Sequence, residues 1–275
     1  MSSIETMSII LGYSLLFLFG YIFIAFLVGT IKKNNGIMDI FYGPGFFVVA
    51  LTSLIFYIIL NNEINIRQIV ITILVFIWSV RLAAYVFIRN RGKPEDYRYK
   101  AMRERWGTNV VLKSLTKIYI FQGIVIFIVA FPVWFTNIST NPSFDNHLDF
   151  YGITLWLGVI IWIIGFLFET FGDYQLYKFK QDPNNKGKVL DRGLWKYSQH
   201  PNYFGEVTQW WGIYVIAIAV PFGFISIVGP VFITYMIIKV SGIRLLDKHY
   251  EGDDEYTNYK KRTRLFFPWF PKKSK

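Results

Sequence analysis

Long apolar runs, each close to the length that crosses a bilayer, recur along this sequence and constrain its fold more than any other feature. A membrane-spanning helix needs about 20 consecutive, largely apolar residues. Such runs are predicted at residues 9–30, 37–60, 66–88, 115–135, 150–171, 203–220 and 224–243. Hydrophobic residues make up 53% of the chain and charged residues only 17%, too few to cover a soluble domain. The sequence therefore predicts an all-α integral membrane protein with about seven transmembrane helices, in a single polytopic domain spanning residues 1–275.

The basic residues predict how the chain is oriented in the membrane. All but three of the 29 Lys and Arg residues lie in alternate loops and in the C-terminal tail; the exceptions are Arg67, Arg81 and Lys239. Because Lys and Arg favour cytoplasmic loops, the N-terminus is predicted outside and the C-terminus in the cytoplasm. The net charge of +11 is spread over several loops, which favours membrane lipids and a phosphate-bearing ligand as partners and argues against nucleic acid.

Residue types and patterns that are missing from the sequence exclude several kinds of site. The chain has no cysteine, and its three histidines are scattered, so no metal site is predicted. It contains no Gly-x-Gly-x-x-Gly, Walker or Gly-x-Ser-x-Gly pattern. Any cofactor must therefore bind among the helices and loops themselves.

Six charged residues lie within the apolar runs or near their ends, in the half predicted to face the cytoplasm. Charged side chains at membrane depth cost about 2.5–3.5 kcal/mol each, so those that remain usually face a cavity or one another. These six could therefore converge on one cavity that opens to the cytoplasm: Asp39, Arg81, Glu169, Asp173, Glu206 and Lys239.

Two of these charges, Asp39 and Arg81, lie beside distinctive neighbours in their runs. Asp39 precedes Gly43-Pro44-Gly45, which is predicted to interrupt the second helix beside a cavity; alternatively, Asp39 caps that helix. Arg81 shares a helix face with Trp78 and Tyr85, one turn away on either side. A fixed guanidinium there suits phosphate binding, and the alternative is an arginine that extends to the membrane surface.

The densest polar segment is Gly193 to Glu206, which leads into the sixth predicted helix. It places His200, Asn202, Glu206 and two tyrosines around Pro201, which fits the first position of a helix. The free N–H groups of that helix would face an anion; the alternative is a ring of interfacial aromatic residues with a helix cap. Asp173 begins a second polar strip, which suits ribose hydroxyls or an adenine amino group, or else is a solvated helix end.

These motifs resemble the steroid 5-alpha-reductase-like membrane protein family, in its bacterial-type branch (DUF1295), over about residues 34–270. The resemblance rests on the following stretches: Asp39-Ile40-Phe41-Tyr42-Gly43-Pro44-Gly45, Trp78-Ser79-Val80-Arg81-Leu82, Glu95-Asp96-Tyr97-Arg98-Tyr99 with Met102-Arg103, Phe168-Glu169, Asp173-Tyr174-Gln175-Leu176, Gly193 to Glu206, and Ser241-Gly242-Ile243.

The resemblance implies a seven-helix fold that binds NADPH on its cytoplasmic side and reduces a carbon–carbon double bond conjugated to a ketone in a lipid or steroid-like substrate. The implied cofactor-binding residues are Arg81, Tyr85, Asp173, Tyr197, His200, Asn202 and Glu206. Relatives hold the substrate carbonyl with a glutamate on the second helix and a tyrosine on the third. This chain has Asp39 on the second helix and Trp78 near the expected place of the tyrosine, which puts steroid specificity in question.

Three functions remain open from the sequence. In the first, an NADPH-dependent ene-reductase, Asp39 with help from Tyr42 donates a hydrogen bond to the substrate carbonyl, and Trp78 lies beside it. The second is a membrane methyltransferase that uses S-adenosylmethionine, and the third is a lipid-binding relative without catalysis. The membrane would be the inner membrane of a bacterium or the endoplasmic reticulum of a eukaryote, and Lys272-Lys273-Ser274-Lys275 has the spacing of a retrieval signal for the latter.

Overall fold

The computed structural model describes residues 3–140 and 149–271, and all regular structure within these ranges is helical. The helices are α1 (Ser3–Ile31), α2 (Ile37–Asn61), α3 (Ile66–Asn90), α4 (Tyr97–Trp106), α5 (Val110–Ser114), α6 (Phe121–Val129), α7 (Phe131–Ile138), α8 (Phe150–Gln181), α9 (Pro201–Ala217), α10 (Val228–Tyr235), α11 (Ile243–His249) and α12 (Asp254–Arg262). The tail at residues 272–275, with its predicted retrieval signal, lies outside the described residues.

Six helical segments in the described part of the chain are long and apolar enough to cross a membrane. They are Ile4–Ile31, Ile37–Asn61, Ile66–Asn90, Tyr97–Val129, Phe150–Gln181 and Gly223–Asp247. A helix satisfies its own backbone hydrogen bonds, which is what an apolar bilayer requires of a spanning segment. The prediction of an all-α, multi-pass integral membrane protein is confirmed.

The sixth predicted helix, at residues 203–220, corresponds to α9, which is shorter than the six spans named above. It contains 17 residues and begins at Pro201, as the sequence predicted. Its 17 residues would rise about 26 Å, slightly less than the apolar core of a bilayer. The count of seven and the orientation of the termini stay predictions.

Three predicted helix boundaries were wrong, because apolarity alone does not mark where a helix begins or ends. The fourth helical run begins at Tyr97 instead of residue 115, through the strongly charged α4. It ends at Val129, ahead of Pro132 in the first turn of α7, instead of at residue 135. The fifth, α8, continues past residue 171 to Gln181, which places Glu169 and Asp173 well inside it.

The chain divides into two compact units, Met1–Ile153 with Ile216–Gly229, and Thr154–Val215 with Pro230–Lys275. We call them the N-terminal unit and the C-terminal unit. In the N-terminal unit α2 packs against α1, α3 and α7, and its fully buried Phe46 meets Trp78 of α3 edge-on at 5.2 Å. The single domain predicted for the whole chain stays a prediction.

The predicted interruption at Gly43-Pro44-Gly45 was wrong, because α2 is helical through all three residues. The glycines instead allow neighbouring helices to approach closely. A Cβ atom built on Gly43 would lie 3.1 Å from the carbonyl oxygen of Ser79, and one on Gly45 would lie 2.8 Å from Ile126. Proline is tolerated inside membrane helices where neighbours support the backbone.

Candidate functional site

Two helices of the C-terminal unit touch through their backbones because glycine recurs at every seventh residue along each. The glycines are Gly158, Gly165 and Gly172 on α8, and Gly205 and Gly212 on α9. A Cβ atom built on Gly212 would lie 2.7 Å from the carbonyl oxygen of Gly158, and one on Gly165 would lie 2.6 Å from that of Gly205. Small residues permit this close approach of membrane helices. The contact fixes which side chains of α8 and α9 face each other.

Two carboxylate–amide pairs join these helices beside the glycines. The side-chain nitrogen of Gln209 donates to Glu169 at 2.7 Å, and that of Asn202 donates to Asp173 at 3.0 Å. Glu169 and Asp173 are 3% and 4% exposed. A carboxylate accepts hydrogen bonds and cannot donate them, so each amide must turn its nitrogen toward the carboxylate. Each amide oxygen then faces away from its partner.

Both of these amide oxygens are buried and lack a hydrogen-bond partner among the described residues. They are Oδ1 of Asn202 and Oε1 of Gln209. Seven residues separate them on α9, which places them on one face of the helix. Leaving a buried acceptor unsatisfied costs about 1–3 kcal/mol. The pair of oxygens is therefore suited to a ligand that presents N–H or O–H donors.

The segment that leads into α9 is attached to α8 by two hydrogen bonds. The backbone N–H of Leu194 donates to the side-chain oxygen of Gln175 at 3.0 Å. The indole N–H of Trp195 donates to the carbonyl of Gly172 at 3.1 Å. These bonds hold the loop against α8, the helix that carries the two carboxylates. They thereby position the N-terminus of α9 beside α8.

His200 lies at the N-terminus of α9 and is only 2% exposed. Burial lowers the pKa of His200 to about 4, so the ring is neutral near pH 7. Its Nε2 has no hydrogen-bond partner among the described residues. The adjacent Gln199 donates to the carbonyl of Thr263 at 2.9 Å, and its own side-chain oxygen is likewise without a partner in the described structure. Between residues 199 and 209, four buried polar atoms therefore have no hydrogen-bond partner among the described residues.

A cavity of about 480 Å³ lies in the C-terminal unit between the end of α8 and α12. Its walls combine aromatic side chains with buried polar groups and lysines, among them Trp195, Tyr256, Tyr259, Gln199, His200, Lys180, Lys186 and Lys188. Burial raises the pKa values of Tyr256 and Tyr259, so both phenols keep their protons. Flat aromatic walls beside cations suit a ligand with a ring system and an anionic group.

In the N-terminal unit, Asp39 joins α2 to α4. It accepts a hydrogen bond from the hydroxyl of Tyr99 at 2.6 Å and lies 3.6 Å from the guanidinium of Arg98. The residue at the N-cap of α2 is Gly36, so the alternative in which Asp39 caps the helix was wrong. Glu95 supports the same corner by accepting from the backbone N–H of Asn35 at 2.7 Å.

The other predicted residues of the N-terminal unit form two aromatic groups. Tyr42, Phe46 and Trp78 make successive edge-on contacts, at 5.1 and 5.2 Å between ring centroids. The guanidinium of Arg81 lies 5.5 Å from the ring centroid of Tyr85, as expected for residues one turn apart on a helix. Arg81 is thereby held on the face of α3 that carries Tyr85.

A comparison with protein families shows which family this chain belongs to. A family model described as "Protein of unknown function (DUF1295)" matches residues 25–263. The chain belongs to this family.

A curated relative of this DUF1295 protein is an uncharacterized protein of Schizosaccharomyces pombe, 25% identical over 186 residues. The alignment covers 58% of this chain and 51% of the relative, so the chain spans about half the length of the curated protein it matches. No solved structure matches the chain. Neither the family description nor the relative's name states an activity.

The predicted site residues of this DUF1295 protein fall into two groups. Asp39, Tyr42, Trp78, Arg81 and Tyr85 belong to the N-terminal unit, and Asp173, Tyr197, His200, Asn202 and Glu206 belong to the C-terminal unit. Within the second group the structure brings Asp173 and Asn202 into direct contact. Tyr197 is partly exposed and packs on Phe270, while Glu206 is half-buried on α9. The predicted roles of all ten stay predictions.

Gln199 and Gln209 were not among the predicted site residues, although each lies close to predicted residues in the C-terminal unit. Gln209 lies seven residues after Asn202 in an apolar stretch, where it reads as part of a spanning helix. The seven-residue glycine spacing of α8 and α9 was the available signal, because it shows which faces of the two helices are in contact. With that contact known, a glutamine opposite Glu169 is a candidate partner.

The buried His200 predicts that the DUF1295 protein loses stability in mild acid. The unfolded chain protonates the ring near its ordinary pKa of 6.5, whereas the folded chain resists protonation down to about 4. The stabilisation is therefore present above about pH 6.5 and declines as the pH falls toward 4, by at most about 3 kcal/mol. Thermal unfolding in detergent across this pH range, compared with His200→Gln, measures it. Equal slopes in the two proteins would contradict the buried neutral ring.

Proposed function

We propose that this DUF1295 protein is a membrane-embedded reductase that uses NADPH to reduce a carbon–carbon double bond conjugated to a ketone. The substrate would be a lipid or steroid-like molecule dissolved in the bilayer. One observation carries the proposal: the carboxylates of α8 fix two buried amide oxygens, on Asn202 and Gln209, as acceptors without partners. A nicotinamide carboxamide and ribose hydroxyls present the N–H and O–H donors that such acceptors need.

The residues of the C-terminal unit suit such a cofactor in two further respects. His200 is neutral and buried, with a ring nitrogen that has no partner among the described residues. Lysines line the cavity beside it, and cations there favour a ligand that carries phosphates. S-adenosylmethionine carries no phosphate, so the lysines favour NADPH over the methyltransferase alternative.

In this proposal the protein binds, orients and shields, while NADPH when bound supplies the hydride. Asp173 and Glu169 hold the amides of Asn202 and Gln209 in the orientation that receives the cofactor, so no reorganisation is needed on binding. Asp39, Tyr42 and Trp78 are proposed to hold the substrate. Asp39 acts as an acceptor toward Tyr99 in the structure, so donating to a carbonyl would require protonation of its carboxyl group.

The test is to purify the protein gently from membranes and to analyse released small molecules by mass spectrometry. We expect NADPH or NADP⁺ to co-purify, and added NADPH to bind in preference to NADH and S-adenosylmethionine. Oxidation of NADPH should then depend on an added enone lipid, with the saturated ketone as product. Binding of S-adenosylmethionine without NADPH would replace the proposal with the methyltransferase, and bound NADPH without turnover of any enone would leave only a binding protein.

A further inference from the structure

Residues 264–271, which we call the C-terminal strap, run beside the segment that leads into α9. The backbone N–H of Gln199 donates to the carbonyl of Arg264 at 2.8 Å. The hydroxyl of Ser198 donates to the backbone carbonyl of Phe266 at 2.7 Å. The backbone N–H of Trp269 donates to the carbonyl of Tyr197 at 3.1 Å. As the strap advances from residue 264 to 269, its partners in the segment go back from 199 to 197, so the two stretches run antiparallel. These hydrogen bonds to its main chain hold the strap in place.

The strap directs large aromatic side chains outward. Phe267 is 72% exposed, Trp269 64% and Phe270 72%. Phe266 packs against Phe204, in the first turn of α9, with ring centroids 5.8 Å apart, and the exposed Phe267 also touches that ring, at 5.5 Å. The exposed rings therefore lie beside the point where an apolar helix begins. Tryptophan and other amphipathic rings concentrate at that level of a membrane, where headgroups meet the acyl chains.

The charged residues in the strap and just before it in the sequence are all basic. No acidic residue occurs between positions 256 and 275, whereas α12 ends in three consecutive basic residues and Arg264 follows. Lys260 pairs with Asp247 and Arg262 with Asp191. Lys261 and Arg264 are exposed, and neither forms an ion pair with the described residues. Aromatic rings flanked by uncompensated cations are complementary to a surface of anionic lipid headgroups.

We propose that the C-terminal strap is a membrane-surface anchor that binds anionic lipid. Phe267, Trp269 and Phe270 insert among the headgroups, and Lys261 and Arg264 pair with lipid phosphates. The hydrogen bonds to residues 197–199 then tie the lipid contact to the segment that ends at His200. This inference goes beyond the proposed function and does not depend on it.

The absence of cysteine from the chain permits a direct test. A nitroxide is attached to Phe270→Cys in the full-length protein, reconstituted in vesicles of phosphatidylcholine with about one third phosphatidylglycerol. Glu251→Cys, at an exposed turn, is the matched control. We expect the probe at position 270 to collide with dissolved oxygen in preference to a water-soluble nickel chelate, and the control probe to show the opposite. Water-like collisions at both positions would overturn the proposal.

The charge requirement is tested by adding Lys261→Gln and Arg264→Gln to the labelled protein. We expect the equilibrium constant between inserted and water-exposed probe to fall about fivefold for each cation removed in the anionic vesicles, and to stay unchanged in phosphatidylcholine alone. The variants should elute as the parent does in size-exclusion chromatography. An equal loss in both kinds of vesicle would refute the role of anionic lipid. Spin–spin broadening that disappears on dilution with unlabelled protein would show that a second copy covers the rings, and would also overturn the proposal.

Discussion

Replacing Gly205 with alanine, which adds one methyl group, is expected to destabilise the protein by about 3 kcal/mol or more. The added Cβ atom would fall against the main chain of α8, at 2.5 Å from the carbonyl oxygen of Gly165. Backbone atoms cannot turn aside as a side chain can, so the two helices would have to separate. Both carboxylate–amide pairs would then lengthen or break.

The matched control is Gly20→Ala on α1, where, apart from the local backbone of α1 and the two adjacent residues, no described atom lies within 4 Å of the added Cβ. That change should be neutral or stabilise by up to about 1 kcal/mol, because alanine favours a helix more than glycine does. Thermal unfolding in detergent and the yield of monodisperse protein measure both variants. Equal behaviour of the two variants would contradict direct backbone contact between α8 and α9.

The second large effect is expected from Asp173→Asn, which keeps the shape of the side chain and removes its charge. Asparagine can donate as well as accept, so the amide of Asn202 would no longer be held with its oxygen toward the ligand. Losing a preorganised acceptor in a buried site should weaken NADPH binding about ten- to a hundredfold. Thermal stability should stay near that of the parent, since an amide pair can still form a hydrogen bond.

The matched control for this variant is Asp191→Asn, which changes an exposed carboxylate of the same unit paired with Arg262. Exposed ion pairs contribute little, so this change should leave both affinity and stability almost unaltered. Isothermal titration with NADPH separates the two variants. Unchanged affinity in Asp173→Asn would show that the pair with Asn202 only joins the helices.

Membrane helices were predictable from this sequence because apolarity over about 20 residues depends on the segment alone. The start of α9 at Pro201 was predictable for a similar reason, since proline suits the first turn of a helix. The polar character of Asp173 and Asn202 marked both as site residues. Their direct hydrogen bond could not be predicted, because it depends on the register between two helices.

The predictions that were wrong also depend on how distant parts of the chain pack together. At Gly43-Pro44-Gly45 the sequence shows residues that often interrupt helices. It cannot show that Ser79 and Ile126 pack into the space that side chains on the two glycines would fill. Asp39 looked like a possible helix cap, and its contacts with Tyr99 and Arg98 come from a segment sixty residues away. Because α4 is strongly charged, apolarity did not mark it as the start of the fourth helical run.

The glycine contact between α8 and α9 has a consequence for how the protein is made. Two acidic side chains of α8 find their amide partners on α9, which is synthesised later. Until then each carboxyl group would cost about 2.5–3.5 kcal/mol in the bilayer. With α9 crossing the bilayer as predicted, insertion of α8 and α9 together as a hairpin would avoid this cost, whereas insertion of one helix at a time would incur it.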